Sequence, residues 1–181
     1  MVKEEQELMS TPSELSRKEK LLLIRQLLIR NIFNISIILI AFLAILTVHI
    51  YNDNNMSPAL KPHTLLLADR LETPVRNDVV IYSIAGKMTV GRVIALGGDE
   101  IDITQEGQLI INSIPANEEI FYATFPSQKV TNINYPHVVA EGSYFILNDY
   151  RTDTNDSREF GDIPQEDIFG PLIYAIQWFF A

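Results

Sequence analysis

At 181 residues the chain has room for one modest domain, and its lack of cysteine excludes a disulfide framework, so any exported part must be held by its own core. The net charge of −9 is unevenly spread: residues 1–30 carry six Lys/Arg against five Asp/Glu, whereas residues 52–181 carry eight against eighteen. Such an acidic C-terminal part gives no electrostatic footprint for nucleic acid, and no nucleic-acid partner is expected.

The first predicted element is a helix. Thr11-Pro12-Ser13-Glu14 has the form of a capping box with proline at the first helical position, followed by apolar Leu21–Ile24 and Leu27–Ile29. Residues 1–30 therefore read as a basic juxtamembrane segment that orients the chain or docks a cytoplasmic partner. Between Arg30 and Asp53 twenty-two residues carry no charge, and Ile32–Tyr51 is interrupted only by Asn34, Ser36, Thr47 and His49. At 1.5 Å per residue, about 20 residues cross a hydrocarbon core of roughly 30 Å, so residues 31–51 are predicted to be a transmembrane anchor. The stretch ending His49-Ile50-Tyr51-Asn52-Asp53 offers no small-x-small cleavage site, which argues for an uncleaved anchor. Arg17, Lys18, Lys20, Arg25 and Arg30 precede it closely, against Lys61 and Arg70 after it. By the positive-inside rule the N-terminus is cytoplasmic, and residues 52–181 lie outside the cell membrane.

Beyond the anchor the pattern changes to short runs punctuated by turn residues, predicting a mainly β domain of antiparallel hairpins. Leu65–Ala68, Val79–Ser83 and Met88–Leu96 read as strands, with Ala85-Gly86 as the turn between the last two. Ile101–Ile103 and Leu109–Ile111 flank Gln105-Glu106-Gly107 in the same way, while residues 113–137 look like an irregular excursion, so that 100–137 forms a smaller β excursion from the domain. Val138–Val139, Tyr144–Leu147 and Leu172–Ile176 complete the strands. The closing Trp178-Phe179-Phe180 suits either the core or the membrane interface.

Common catalytic constellations fail. His49, His63 and His137 are far apart, with no ligand-type spacing, so neither a metal site nor any other cofactor is expected, and no spacing singles out a Ser/His/Asp triad.

Four segments in fixed order carry more information: Asn55-Met56-Ser57-Pro58-Ala59-Leu60, Asn77-Asp78-Val79-Val80, Gly91-Arg92-Val93-Ile94-Ala95-Leu96-Gly97-Gly98-Asp99, and the run from Asn148-Asp149-Tyr150-Arg151 through Thr154, Asp156-Ser157-Arg158 to Gly161. Together they resemble the boxes of type I signal peptidases, which read Ser-Met-x-Pro-Thr-Leu, Gly-Asp-Val-Val, Lys-Arg-Val-Ile-Gly-x-Pro-Gly-Asp and Gly-Asp-Asn-Arg-x-x-Ser-x-Asp-Ser-Arg-x-x-Gly. The resemblance runs from about residue 31 to the end of the chain. It implies a signal-peptidase fold, and a degenerate site on it. That family uses a serine nucleophile and a lysine general base whose desolvation keeps it neutral. Asn55 stands at the nucleophile position and Gly91 at the base position; neither supplies the chemistry. Asp53 matches the oxyanion-stabilising position, where a carboxylate opposes developing negative charge by on the order of 4 kcal/mol at about 4 Å and an effective dielectric near 20.

The resemblance also assigns Met56, Leu60 and Val90 to the small apolar pockets for substrate side chains. Asp149, Arg151, Asp156 and Arg158 correspond to charged residues that brace the catalytic strand, and Thr154 to the hydroxyl that orients the lysine. The implied function is that of a catalytically inactive homologue, a chaperone or assembly factor for exported proteins. Its relatives of that kind serve pilin polymerisation in Gram-positive bacteria, so the expected partners are the membrane, an exported or pilin segment, and a sortase or signal peptidase. Two alternatives stay open: an active peptidase using the displaced residues Ser57 and Lys87, and a modulatory subunit of a genuine signal peptidase.

Overall fold

The computed structural model describes residues 16–117, 120, 122–129 and 133–177, in two compact units that divide between Leu43 and Ala44. The described part of the first unit is Ser16 and helix α1, Arg17–Ile45, whose last two residues fall in the second unit; the helix is long and apolar enough to cross a membrane and buries none of its residues. Its start is capped reciprocally: Ser16 N donates to Glu19 Oε2 at 2.8 Å and Glu19 N donates to Ser16 Oγ at 3.4 Å. This Ser-x-x-Glu box lies five residues beyond the one expected at Thr11, which falls outside the described residues.

The predicted anchor is divided. Its last six residues, Leu46–Tyr51, leave the helix and form strand β1, paired over its whole length with β2, Thr64–Asp69, from Leu46↔Asp69 to Tyr51↔Thr64. The burial alternates as a strand's does, with Thr47 and Tyr51 inward and Val48 and Ile50 outward. Hydropathy could not show this boundary, because β-branched Thr47, Val48 and Ile50 are as compatible with a span as with a ladder. The ladder wins because β2 supplies partners for the backbone and the protein core receives Tyr51.

The second unit carries two sheets. The larger has seven strands in the order β1-β2-β11-β3-β4-β9-β10, with β3 at Val79–Ile84, β4 at Lys87–Leu96, β9 at Ser143–Leu147, β10 at Ile163–Pro164 and β11 at Ile168–Gln177. Ala85 and Gly86 join β3 to β4 with φ of 49° and 77°, the positive pair that a two-residue type I′ turn requires. β11 lies between β2 and β3 and bulges at Gly170, whose φ is 120°; a Cβ there would stand 1.9 Å from Asp69 O. The smaller sheet, β7-β6-β5-β8, uses Glu100–Ile103, Leu109–Ile111, Ile114–Pro115 and His137–Val138 as β5 to β8 in chain order. The stretch 113–137, expected to be irregular, contains β7 and the first residue of β8; among the described residues between those two strands there is no regular element.

Three apolar clusters hold this unit together. Tyr51, Met56, Leu66, Ala68, Ile81 and Val90 form one side of the larger sheet's core; Val80, Tyr82, Val93, Tyr144 and Ile146 belong to another. The third joins Ile94, Phe145 and Leu147 to Ile101, Ile103 and Leu109 of the smaller sheet. β3 and β4 are covered on both faces, which explains why their sequences read as nearly continuous apolar runs. Trp178-Phe179-Phe180 lies outside the described residues.

Candidate functional site

Three segments and Lys129 converge on one cleft: the segments are the turn that follows β1, the β3–β4 hairpin, and the loop from Asn148 to the short helix α2, Ser157–Phe160. The cleft encloses about 720 Å³, and its polar wall includes Asp53, Asn55, Lys87, Thr89, Lys129 and Asp153, with Ile84, Tyr150 and Phe160 as its larger apolar surfaces.

Asn55 sits at its floor, nearly buried, and every part of its amide is used. Nδ2 donates to Val90 O at 2.8 Å and to Asn148 Oδ1 at 2.7 Å, while Oδ1 accepts from the Tyr51 hydroxyl at 2.9 Å. Tyr51 in turn accepts from Met56 N at 2.9 Å. Burial, despite that bond and reinforced by the Asp53, Asp149 and Asp153 carboxylates, pushes the Tyr51 hydroxyl up to about 12, so it stays a donor. Asn148 completes the chain, its Nδ2 donating to Asp153 O at 3.2 Å. Amide and hydroxyl groups thus link β1, β4 and the 148–161 loop across the cleft floor.

Gly91 is close by, since Asn55 bonds the peptide that joins Val90 to it, but it is not part of the cleft lining. Lys87, Thr89 and Gly91 share one face of β4 by the period of two; Lys87 and Thr89 line the cleft, and Gly91 is roofed over. A Cβ at Gly91 would stand 2.5 Å from Ile146 Cγ2 and 3.1 Å from Tyr82 Cε1. The Tyr82 ring fills the space a longer side chain would need. Its hydroxyl is buried without a hydrogen-bond partner among the described residues, and burial, with Asp156 and Asp153 adding, raises its pKa strongly.

The residues expected to line substrate pockets lie mostly beneath the surface. Met56 and Val90 are fully buried, Leu60 packs partly buried against the same cluster, and none of the three lines this cleft. Asp53 is at the mouth, half-exposed, 3.5 Å from the Lys87 ammonium, which is 70% exposed. The desolvation that a lysine base needs is therefore absent at Lys87, and Ser57 is not part of the cleft lining.

The charged residues of the 148–161 loop form an internal frame. Asp149 receives a two-pronged pair from Arg92, Nε to Oδ1 at 2.8 Å and Nη2 to Oδ2 at 2.6 Å. Asp156 caps α2 through Arg158 N, accepts Arg158 Nε and Nη2 at 2.9 and 2.7 Å, and also accepts Asn148 N. Arg158 is fully buried and spends its remaining donors on the carbonyls of Arg151, Asp153 and Phe125; Arg151 is buried beside it. Thr154 donates to Glu159, which also pairs with Lys129 at 2.7 Å. Burial raises the Glu159 pKa, but the Lys129 and Thr154 bonds and the neighbouring charges outweigh it and hold the carboxyl below its usual range.

Several of these residues escaped the sequence. Tyr51 was hidden inside the apparent span, and Arg92 stood in a recognised segment without a role. Tyr82 looked like ordinary strand core, and Lys129 and Glu159 are brought together over thirty residues of chain. Adjacency to Asn55 was the only local signal, and it applied to Tyr51 alone, four residues away.

The sequence profile of the signal peptidase, peptidase S26 family matches residues 24–177. The chain belongs to this family. The matched region contains most of α1, both sheets and the whole cleft. A curated protein named "Inactive signal peptidase IA" from Staphylococcus aureus is 25% identical over 156 residues, covering 80% of this chain and 87% of that protein. "Probable signal peptidase I-1" from Synechocystis is 33% identical over 90 residues, 49% of this chain and 42% of its own length. A crystal structure of a signal peptidase I from Enterococcus faecalis matches with a TM-score of 0.46 at 25% identity, covering 56% of this chain and 97% of that one. This member of the family is mainly antiparallel β, with one N-terminal helix apolar enough to cross a membrane.

Proposed function

We propose that this chain is an inactive member of the signal peptidase family that holds an extended segment of an exported protein, a pilin in the reading the resemblance favours, as a chaperone or assembly factor at the outer membrane face. The observation that carries this is the closed hydrogen-bond set of Asn55. If Asn55 occupies the nucleophile position, an amide with both ends committed replaces a hydroxyl that must be free to attack. The base position at Gly91 has no side chain and no room for one. A positive charge bias before α1 supports an N-terminus in the cytoplasm. The similarity to a relative whose name marks it as inactive supports the same reading.

The arrangement left behind is suited to binding. An open cleft with two aromatic side chains and strand edges nearby takes an extended peptide by main-chain pairing and side-chain contact, neither of which needs a nucleophile. Purified full-length protein in detergent, offered a preprotein and separately a peptide from the partner pilin, is expected to bind the peptide and leave the preprotein intact. Cleavage that disappears on Ser57→Ala or Lys87→Met would establish a displaced dyad instead.

A further inference from the structure

α1 is exposed along its length, and two amides, Asn31 and Asn34, interrupt its uncharged part. Their positions are not scattered. Asn31, Asn34, Ile38, Ala41 and Ile45 recur at spacings of three, four, three and four, the a and d positions of a heptad, and Ile24 and Leu27 extend the line toward the N-terminus. Arg25, Arg30 and Ser36 fall off this seam. Ser36 is satisfied within its own helix, donating to Ile32 O at 2.9 Å. Among the described residues the amides of Asn31 and Asn34 have no hydrogen-bond partner.

Depth makes this matter. With α1 as a membrane span ending at Ile45, about 20 residues of hydrocarbon reach back to Gln26, which puts Asn34 about 12 Å from one boundary and about 16 Å from the other. Arg30 can reach the nearer boundary along its own stem; an asparagine near the middle cannot. Its amide carries donors and an acceptor that hydrocarbon leaves unmet, so it favours a second polar group across a helix interface.

We propose that α1 pairs in parallel with the α1 of a second copy of this chain, along the Asn31–Asn34–Ile38–Ala41–Ile45 seam. The complementarity is electrostatic and self-directed: the partially positive NH2 of one Asn34 meets the partially negative carbonyl of the other. Single-pass chains inserted in the same sense present identical seams in the same register, so a two-fold axis along the helices brings Asn34 opposite Asn34. Ala41, the smallest side chain on the line, lets the backbones approach.

The absence of cysteine makes the test clean, because a single introduced cysteine in the full-length protein reports alone. In membranes, with alkaline extraction confirming insertion, oxidation is expected to give a dimer of twice the chain mass from Ile38→Cys and Ala41→Cys, and several-fold less from Ile40→Cys and Leu43→Cys on the opposite face. Adding Asn34→Leu to Ile38→Cys is expected to lower the yield several-fold, and Asn34→Gln to preserve most of it. Equal yields at all four positions, no dimer at any, a product with the mass of a different protein, or indifference to Asn34→Leu would each overturn the proposal.

Discussion

Asn55 Nδ2 stands 2.7 Å from Asn148 Oδ1, joining the turn after β1 to the loop that carries Asp149, Arg151 and Asp156. Neither residue is a local partner of the other in sequence. The bond spans 93 residues of chain and ties the cleft floor together.

Asn55→Ala should therefore behave as a core mutation. It strands the Tyr51 hydroxyl and Asn148 Oδ1 in a buried setting, at a cost of about 1–3 kcal/mol for an unsatisfied group. Denaturant unfolding of the full-length protein in detergent is expected to show a lowered midpoint; an unchanged midpoint would mean that the joint contributes nothing.

Rebuilding a dyad as Asn55→Ser with Gly91→Lys is expected to fail for a steric reason. Even Gly91→Ala meets Ile146 Cγ2 at 2.5 Å, and overpacking of this kind costs about 1–3 kcal/mol. Ile146→Val or Ile146→Ala should relieve part of the Gly91→Ala penalty, giving a non-additive double-mutant cycle. Additive effects would show that the two side chains do not compete for space.

Removing one half of the fully buried pair between Asp156 and Arg158 should be severe, about 3–5 kcal/mol for Asp156→Ala, because Arg158 would keep an uncompensated charge in the core. Lys87→Met at the exposed pair with Asp53 is expected to change stability by less than about 0.5 kcal/mol. Comparable effects at the two sites would contradict the burial that separates them.

Acid should weaken the domain by a defined route. Burial raises Asp99, but the bonds from Leu96 N, Asn112 and Arg76 outweigh it, so Asp99, like Glu159, is held below its usual range. A carboxylate with a depressed folded pKa adds stability above its unfolded value, near pH 4, and loses that stability as pH falls through the folded value. Lys129→Met should thus destabilise at pH 7, and the difference from wild type should shrink below about pH 4. A difference that stays constant from pH 7 to pH 3 would show that the Lys129–Glu159 pair is not its source.

Peptide binding should depend on the cleft's exposed aromatics. Tyr150 and Phe160 are 37% and 47% exposed, so Tyr150→Ala and Phe160→Ala are expected to spare folding. Loss of a contact of this kind typically weakens binding by about tenfold or more. Unaltered affinity in both variants would place the partner elsewhere on the acidic surface.

Much was legible in the sequence because it was written in local chemistry. The Ala85-Gly86 turn, the alternating and continuous apolar runs of β2 to β4, and the long uncharged stretch each depend on neighbours a few residues apart. The segments around Asn55, Gly91 and Asn148 carried the family through their order along the chain. Tertiary structure alone decided the rest. It ended the helix at Ile45, because Leu46–Tyr51 gains a ladder only once β2 has folded beside it. It sent Met56 and Val90 into the core, since which face of a strand is covered depends on what packs there. It also closed the space at Gly91 with Tyr82 and Ile146 and gave Asn55 its two distant partners, Val90 and Asn148, which spacing could not supply: hydrogen bonds over 35 and 93 residues are set by the meeting of strands, and sequence proximity says nothing of that meeting.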